Sequence, residues 1–187
     1  MAENSAISWT DHTFNPWMGC TKVSEGCKNC YAERDFDKRR HLVEWGPGKP
    51  RVRTSEANWK KPLAWNRKAE KDGVRPRVFC ASLADWLDPE VPVAWLADLL
   101  ALIQETPHLD WLLLTKRPQL WRWCMLGVLD TPIGASLKMV RDWFEGVAPA
   151  NIWIGATVEN EKNTTRIPYL LQIPARVRFL SESEALL

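Results

Sequence analysis

The sequence predicts an α/β protein built on a parallel sheet, and two observations carry that expectation. Short, β-prone apolar segments alternate about five times with longer helical segments, which is the pattern of βαβ units. The segment WLLLT, Trp111–Thr115, is apolar almost throughout, as a strand covered on both faces requires.

In chain order, Ala6–Thr10 (AISWT) is short and β-prone and reads as the first strand. Asp11–Asn29 reads as loop, punctuated by Asn15-Pro16 and Met18-Gly19. From Cys30 the run CYAERDFDKRRHLVEW combines helix formers with mixed charge, so a helix is expected to start at or near Cys30. Gly46–Arg53 (GPGKPRVR) breaks the pattern, Ser55–Lys71 reads as a polar helix, and Asp72-Gly73 ends it. Arg77–Ser82 (RVFCAS) is the second strand, followed by the loop LADWLDPEVP. Val93–Glu105 is the clearest amphipathic helix, with Trp95, Leu96, Leu99, Leu100 and Ile103 near helical spacing. The third strand, Trp111–Thr115, runs into Lys116-Arg117-Pro118 and a helix over Gln119–Met125. Gly127–Gly134 reads as irregular and Ser136–Glu145 as helix. Asn151–Ala156 is the fourth strand, Thr164–Gln172 a short helix and Arg176–Leu180 the fifth strand.

At 187 residues the chain is expected to form a single domain, residues 1–187. With 45% apolar and 26% charged residues it has an ordinary globular composition. A net charge of +2 does not by itself argue for nucleic acid or a membrane. No apolar run approaches the roughly 20 residues that cross a bilayer. MAENSAISWTDH lacks the basic-then-apolar order of a signal peptide. A cytoplasmic chain with reduced thiols is therefore expected, and its five cysteines favour metal binding or chemistry over disulfides. The 12 tryptophans read as core and rim packing, with some free to form a stacking surface for a planar ligand.

Function in a parallel α/β sheet collects where strands end. The loop after the first strand holds Cys20, Cys27 and Cys30, spaced C-x6-C-x2-C. After the second strand come Ser82 and Asp85, after the third Thr115, Lys116 and Arg117, and after the fourth Thr157, Glu159 and Asn160. The fifth is followed by Ser181, Glu182 and Glu184. Three thiols on one loop, with no fourth ligand nearby in sequence, suggest a metal or cluster with an open position. A cluster of four irons, three of them held by thiolates, is one reading. Structural zinc with His12 or His41 as fourth ligand is the other. Cys80 and Cys124 fall inside strand and helix patterns and read as small buried apolar residues.

These residues carry a resemblance. Three cysteines after the first strand of a parallel α/β fold resemble the cluster loop of radical S-adenosylmethionine enzymes. The string TFNPWMGCTKVSEGCKNCYAE is similar to the signature of a family of uncharacterised phage- and prophage-encoded proteins. So are VFCASLADWLDPEVP, LLLTKRPQLW, NIWIGATVEN and RVRFLSESEALL, which together cover nearly the whole chain. The first cysteine gap is longer than the usual C-x3-C-x2-C. Asn29 stands where an aromatic is usual, and Tyr31 follows the third cysteine instead.

The resemblance implies a partial parallel (β/α) barrel of radical-enzyme type that lacks the last strands of its relatives. It implies a [4Fe-4S] cluster on Cys20, Cys27 and Cys30, S-adenosylmethionine as cofactor, and an electron donor such as flavodoxin or ferredoxin. Asp85 would then face the cofactor's amino group, Lys116 and Arg117 a carboxylate or phosphate, Thr157 the adenine, and Glu159 and Asn160 ribose hydroxyls. Read without it, Asp85 is a turn or capping residue and Lys116-Arg117 a solvated strand end. The substrate is open. Phage context makes nucleic-acid base modification or repair conceivable, and the basic stretch Lys38–Arg53 with Lys60, Lys61, Arg67 and Lys68 offers phosphate contacts or simply a solvated face. The rival function is a zinc-stabilised nucleic-acid-binding or phage accessory protein without catalysis. A third is a degenerate enzyme that keeps the cluster but does not cleave the cofactor.

Overall fold

The computed structural model of the chain describes residues 7–182. Its strands are β1 (His12–Phe14), β2 (Trp17–Met18), β3 (Val52–Arg53), β4 (Arg77–Cys80), β5 (Asp110–Thr115), β6 (Ile152–Thr157) and β7 (Val177–Ser181). Its α-helices are α1 (Glu56–Trp59), α2 (Lys61–Asp72), α3 (Val93–Glu105), α4 (Trp121–Leu129), α5 (Pro132–Ser136), α6 (Lys138–Phe144) and α7 (Arg166–Gln172). Five strands form one parallel sheet in the order β1-β4-β5-β6-β7, so neighbours follow one another along the chain. The mixed α/β, parallel-sheet expectation holds. Among the described residues no helix is long and apolar enough to cross a membrane.

The first strand lies later than AISWT suggests. Residues 7–10 form a turn in which the Thr10 N–H donates to the Ile7 carbonyl at 3.1 Å. Ala6 lies outside the described residues. Pairing decides the matter: the Asp11 carboxylate accepts from the Arg77 N–H at 2.7 Å, and His12 then lies opposite Val78 and Phe14 opposite Cys80. Phe14 is fully buried, edge-on to Trp59 and Trp111 with ring centroids 5.5 and 5.7 Å away.

The region expected to be one loop up to Asn29 contains β1 and β2. β2 pairs antiparallel with β3, Met18 opposite Val52. Between the two lie residues 19–51, an excursion that carries all three loop cysteines. The helix expected from Cys30 is shorter, a π-helix over Glu33–Arg39. It stops before His41, whose φ is 52°, and the Asp37 carboxylate accepts from the Trp45 N–H beyond it. The helix expected over Ser55–Lys71 is divided into α1 and α2, the second with Pro62 in its first turn, where proline is tolerated. Gly127–Gly134, expected to be irregular, is helical over most of its length, because Thr131 caps α5 by accepting from the Gly134 N–H.

The sheet presents two different faces. Val78, Cys80, Trp111, Leu113, Ile152, Ile154 and Ala156 point into one core with Leu99, Ile103, Met125, Val128 and Trp143 from the helices. Intervening positions such as Phe79, Leu112 and Leu114 belong to the opposite face. There Gly155 stands beside Phe179, and a Cβ at Gly155 would lie 2.4 Å from that ring. Gly155→Ala must lift Phe179 off the sheet, so a loss of about 1–3 kcal/mol is expected from urea unfolding. A variant as stable as the native chain would show that the ring moves freely. The tryptophans are mainly core: Trp17, Trp86, Trp111 and Trp143 are fully buried.

Candidate functional site

The cysteine excursion is tied down at its base. Asn15, buried just after β1, accepts from the Leu83 N–H at 2.8 Å and donates to the Ser82 hydroxyl at 3.0 Å. Thr54 closes the other end, its N–H donating to the Pro16 carbonyl at 3.0 Å and its hydroxyl to the Asn15 carbonyl at 2.8 Å. Thus the loop after β1 is locked to the loop after β4.

At the carboxyl ends of the strands lies a cavity of about 360 Å³, in the range of small-molecule sites. Cys20, Cys27 and Cys30 line it together with Asp85, Lys116, Arg117 and Thr157. Ser82 and Ser181 also line it. Glu159 and Asn160 do not, Glu182 is exposed outside it, and Glu184 lies outside the described residues. Trp9, Phe79 and Tyr31 give it aromatic wall, with Trp9 and Phe79 ring centroids 4.9 Å apart.

Asp85 is a buried junction whose two oxygens are taken. Oδ1 accepts from the Thr115 hydroxyl at 2.7 Å and the Leu87 N–H at 3.0 Å. Oδ2 accepts from the Lys116 N–H at 2.9 Å and meets Arg117 Nη1 at 3.0 Å. Arg117, itself 4% exposed, directs Nη1 and Nη2 at the Cys20 sulfur, 3.5 and 3.6 Å away, and Nη2 donates to the Thr21 carbonyl at 2.6 Å. Burial works against the Arg117 charge, but Asp85 and the Cys20 sulfur more than offset it, so the side chain stays cationic. Burial pushes the Cys20 thiol up to about 12 and the Asp85 charge adds to this, while Arg117 pulls the other way.

A second buried pair grips the same segment. Arg51 and Asp88 have side chains 0% and 1% exposed and meet at 2.8 Å. Arg51 Nη2 also donates to the Thr21 hydroxyl at 2.9 Å, and that hydroxyl donates to Glu90 at 3.0 Å. Cys20-Thr21 therefore sits between two buried arginines. Neither Arg51 nor Asp88 stood out in the sequence, since a basic stretch in a Gly/Pro break reads as solvated.

Glu159 works from outside the cavity. Its side chain is 4% exposed and pairs with Arg166 at 2.6 Å. The Ser24 hydroxyl donates to it, and a Cβ on Gly26 would come within 2.8 Å of its carboxyl group. Ser24 and Gly26, two of the signature positions around Cys27, thus share one explanation: the cysteine loop lies directly on Glu159. Asn160 caps the 3-10 turn Glu161–Thr165 by accepting from the Asn163 N–H at 3.2 Å. Burial raises the Glu159 carboxyl, but the bonds from Ser24, its own backbone and Arg166 and the charge of Lys116 hold it below its ordinary 4.5. A depressed carboxylate stabilises the fold above its unfolded-state value, and that contribution fades as pH falls through the folded value. The Tm difference between native and Glu159→Gln proteins is therefore expected to be steady near neutral pH and to close in acid below that ordinary value. A difference unchanged down to about pH 3 would exclude the charge as its source.

The five cysteines are free among the described residues. Cys80 and Cys124 are buried, as their patterns imply, and burial raises both thiols, Cys124 to about 12. No group of three His, Cys, Asp or Glu is gathered closely enough to hold a metal ion among the described residues. His12 stacks on Trp65 with ring centroids 4.2 Å apart, and His41 is exposed; neither lines the cavity. The basic stretch is not an open row of cations. Arg39 pairs with Asp35, Lys49 with Glu44, Arg53 with Asp98 and Lys68 with Asp72, while Arg51 is buried.

Residues 4–187 match the family model described as protein of unknown function, DUF5131. The chain belongs to the DUF5131 family. No curated protein matches it, and no solved structure does. Membership of DUF5131 spans the signature loop and all five strands of the parallel sheet, so the cavity lies wholly within the matched region.

Proposed function

We propose that the chain is an iron–sulfur-cluster-binding enzyme of the radical S-adenosylmethionine type, on a partial parallel (β/α) barrel. Cys20, Cys27 and Cys30 are its cluster ligands. The observation that carries this reading is the shared cavity: three free thiols of one loop line it at the carboxyl ends of parallel strands, with a buried guanidinium against one of them. Strand neighbours in chain order suit a barrel, whereas a doubly wound sheet reverses order at its switch point.

The donor set fits a cluster in kind. Three thiols of one loop line one cavity, and three thiolates with one iron left open are the donor type such a cluster takes. The raised Cys20 thiol gives up its proton when metal binds, since thiolate is the ligating form. When bound, such a cluster supplies the one-electron reduction of S-adenosylmethionine. Lys116 and Thr157 remain on the wall to orient a ligand, and Trp9, Phe79 and Tyr31 offer it an aromatic surface. An external electron donor of the flavodoxin or ferredoxin kind belongs to this reading.

Anaerobic purification tests it. About four irons per chain are expected, followed by release of 5′-deoxyadenosine when S-adenosylmethionine and dithionite are added. Stoichiometric zinc without iron would sink the reading. Iron without 5′-deoxyadenosine would leave a cluster protein and remove the enzyme.

A further inference from the structure

We infer that Arg117 is a positioning residue of the cysteine centre: its guanidinium, paired with Asp85, fixes Cys20 and offsets the carboxylate charge beside that sulfur, so a cluster ligated there is easier to reduce than it would be without Arg117. The inference rests on the cluster reading above.

Arg117 entered as a partner for a ligand's carboxylate or phosphate, but both its terminal nitrogens are engaged. Nη1 meets Cys20 Sγ at 3.5 Å and Asp85 at 3.0 Å, and Nη2 meets Cys20 Sγ at 3.6 Å and the Thr21 carbonyl at 2.6 Å. The side chain is 5% exposed, so water screens its charge little. Asp85 cannot rotate away to leave it, because its oxygens are held by the Thr115 hydroxyl and two backbone N–H groups. Among the described residues the other two cysteines have no buried cation of this kind: Cys27 meets the Ser24 hydroxyl at 3.9 Å, and the charge near Cys27 and Cys30 is the half-exposed Lys22, which pairs with Glu33. The three thiols are therefore inequivalent, and Cys20 is the anchored one.

Reduction adds negative charge to a cluster. A fixed cation and N–H donors at a ligating sulfur stabilise the reduced form, since net charge and hydrogen bonds to sulfur set such potentials. Removing the cation must shift the equilibrium toward the oxidised form. Replacing it by another cation must not.

The test is a reductive titration of anaerobically reconstituted native, Arg117→Gln and Arg117→Lys proteins, with dithionite as reductant, read by absorbance and electron paramagnetic resonance. Arg117→Gln is expected to disfavour one-electron reduction at least tenfold, a midpoint at least 59 mV lower. Arg117→Lys is expected to stay within threefold of native. Should Arg117→Gln fail to hold iron, Arg117→Lys decides: a midpoint within threefold of native supports the charge, and a tenfold shift overturns it. Arg117→Gln with native iron content and a midpoint within threefold of native overturns the inference and leaves the cluster reading standing. A native protein that takes up no iron overturns both.

Discussion

Asp85→Ala is expected to lower the unfolding free energy by about 3–5 kcal/mol, the range for breaking a buried ion pair from one side. The mechanism is specific. The substitution strands the Thr115 hydroxyl, the Leu87 and Lys116 N–H groups and the Arg117 guanidinium around a largely buried position. Thr115→Val, which removes one donor from the same carboxylate and the acceptor of the Arg117 N–H, should cost less, about 1–3 kcal/mol. Urea unfolding of both variants measures the contrast. The double variant Asp85→Ala/Arg117→Met should be less damaged than additivity of the single variants predicts, because the stranded charge is then absent. Equal, small losses for Asp85→Ala and Thr115→Val would show that the carboxylate is merely a turn residue.

The second large effect concerns metal. If the proposed cluster is present, alanine at Cys20, Cys27 or Cys30 should each reduce iron from about four per chain to well under one, since a cluster with two thiolates is not retained. Alanine at Cys80 or Cys124 should leave iron unchanged and cost stability instead, because both are buried in the helix-covered core. Iron analysis after anaerobic reconstitution reads both sets. Retention of iron in two of the three loop variants would remove the triad. Loss of iron in Cys80→Ala at native stability would assign a ligand to the wrong place in the fold.

Much of the architecture was legible in the chain. α3 was legible from its apolar spacing, β5 from its continuous apolar run and β6 from NIWIGA, because burial of a stripe or a face writes a period into the sequence. The strand near the N-terminus was misplaced, because HTF is polar at two of its three positions and owes its place to β4. The β2–β3 ribbon was invisible: each strand has two residues, too short for any period, and the pair closes across the whole cysteine excursion. α5 was hidden by its proline and glycine, although Thr131 is an ordinary cap.

The site divides the same way. Sequence by itself determined the three cysteines, the parallel sheet and the polar residues at its strand ends, since residue type and local order suffice for these. Only the tertiary structure decided which of them face one cavity. It placed Lys116 and Thr157 on the wall, closed Asp85 and Arg117 into a junction behind Cys20, and set Glu159 beneath the loop with Ser24 and Gly26 lying on it. It also buried Arg51 against Asp88, although arginine in a Gly/Pro break looks like surface. The physical reason is that charge pairing and desolvation act between groups far apart in sequence and leave no period to read. A carboxylate free to bind a ligand and one saturated by four donors are the same residue until the chain has folded.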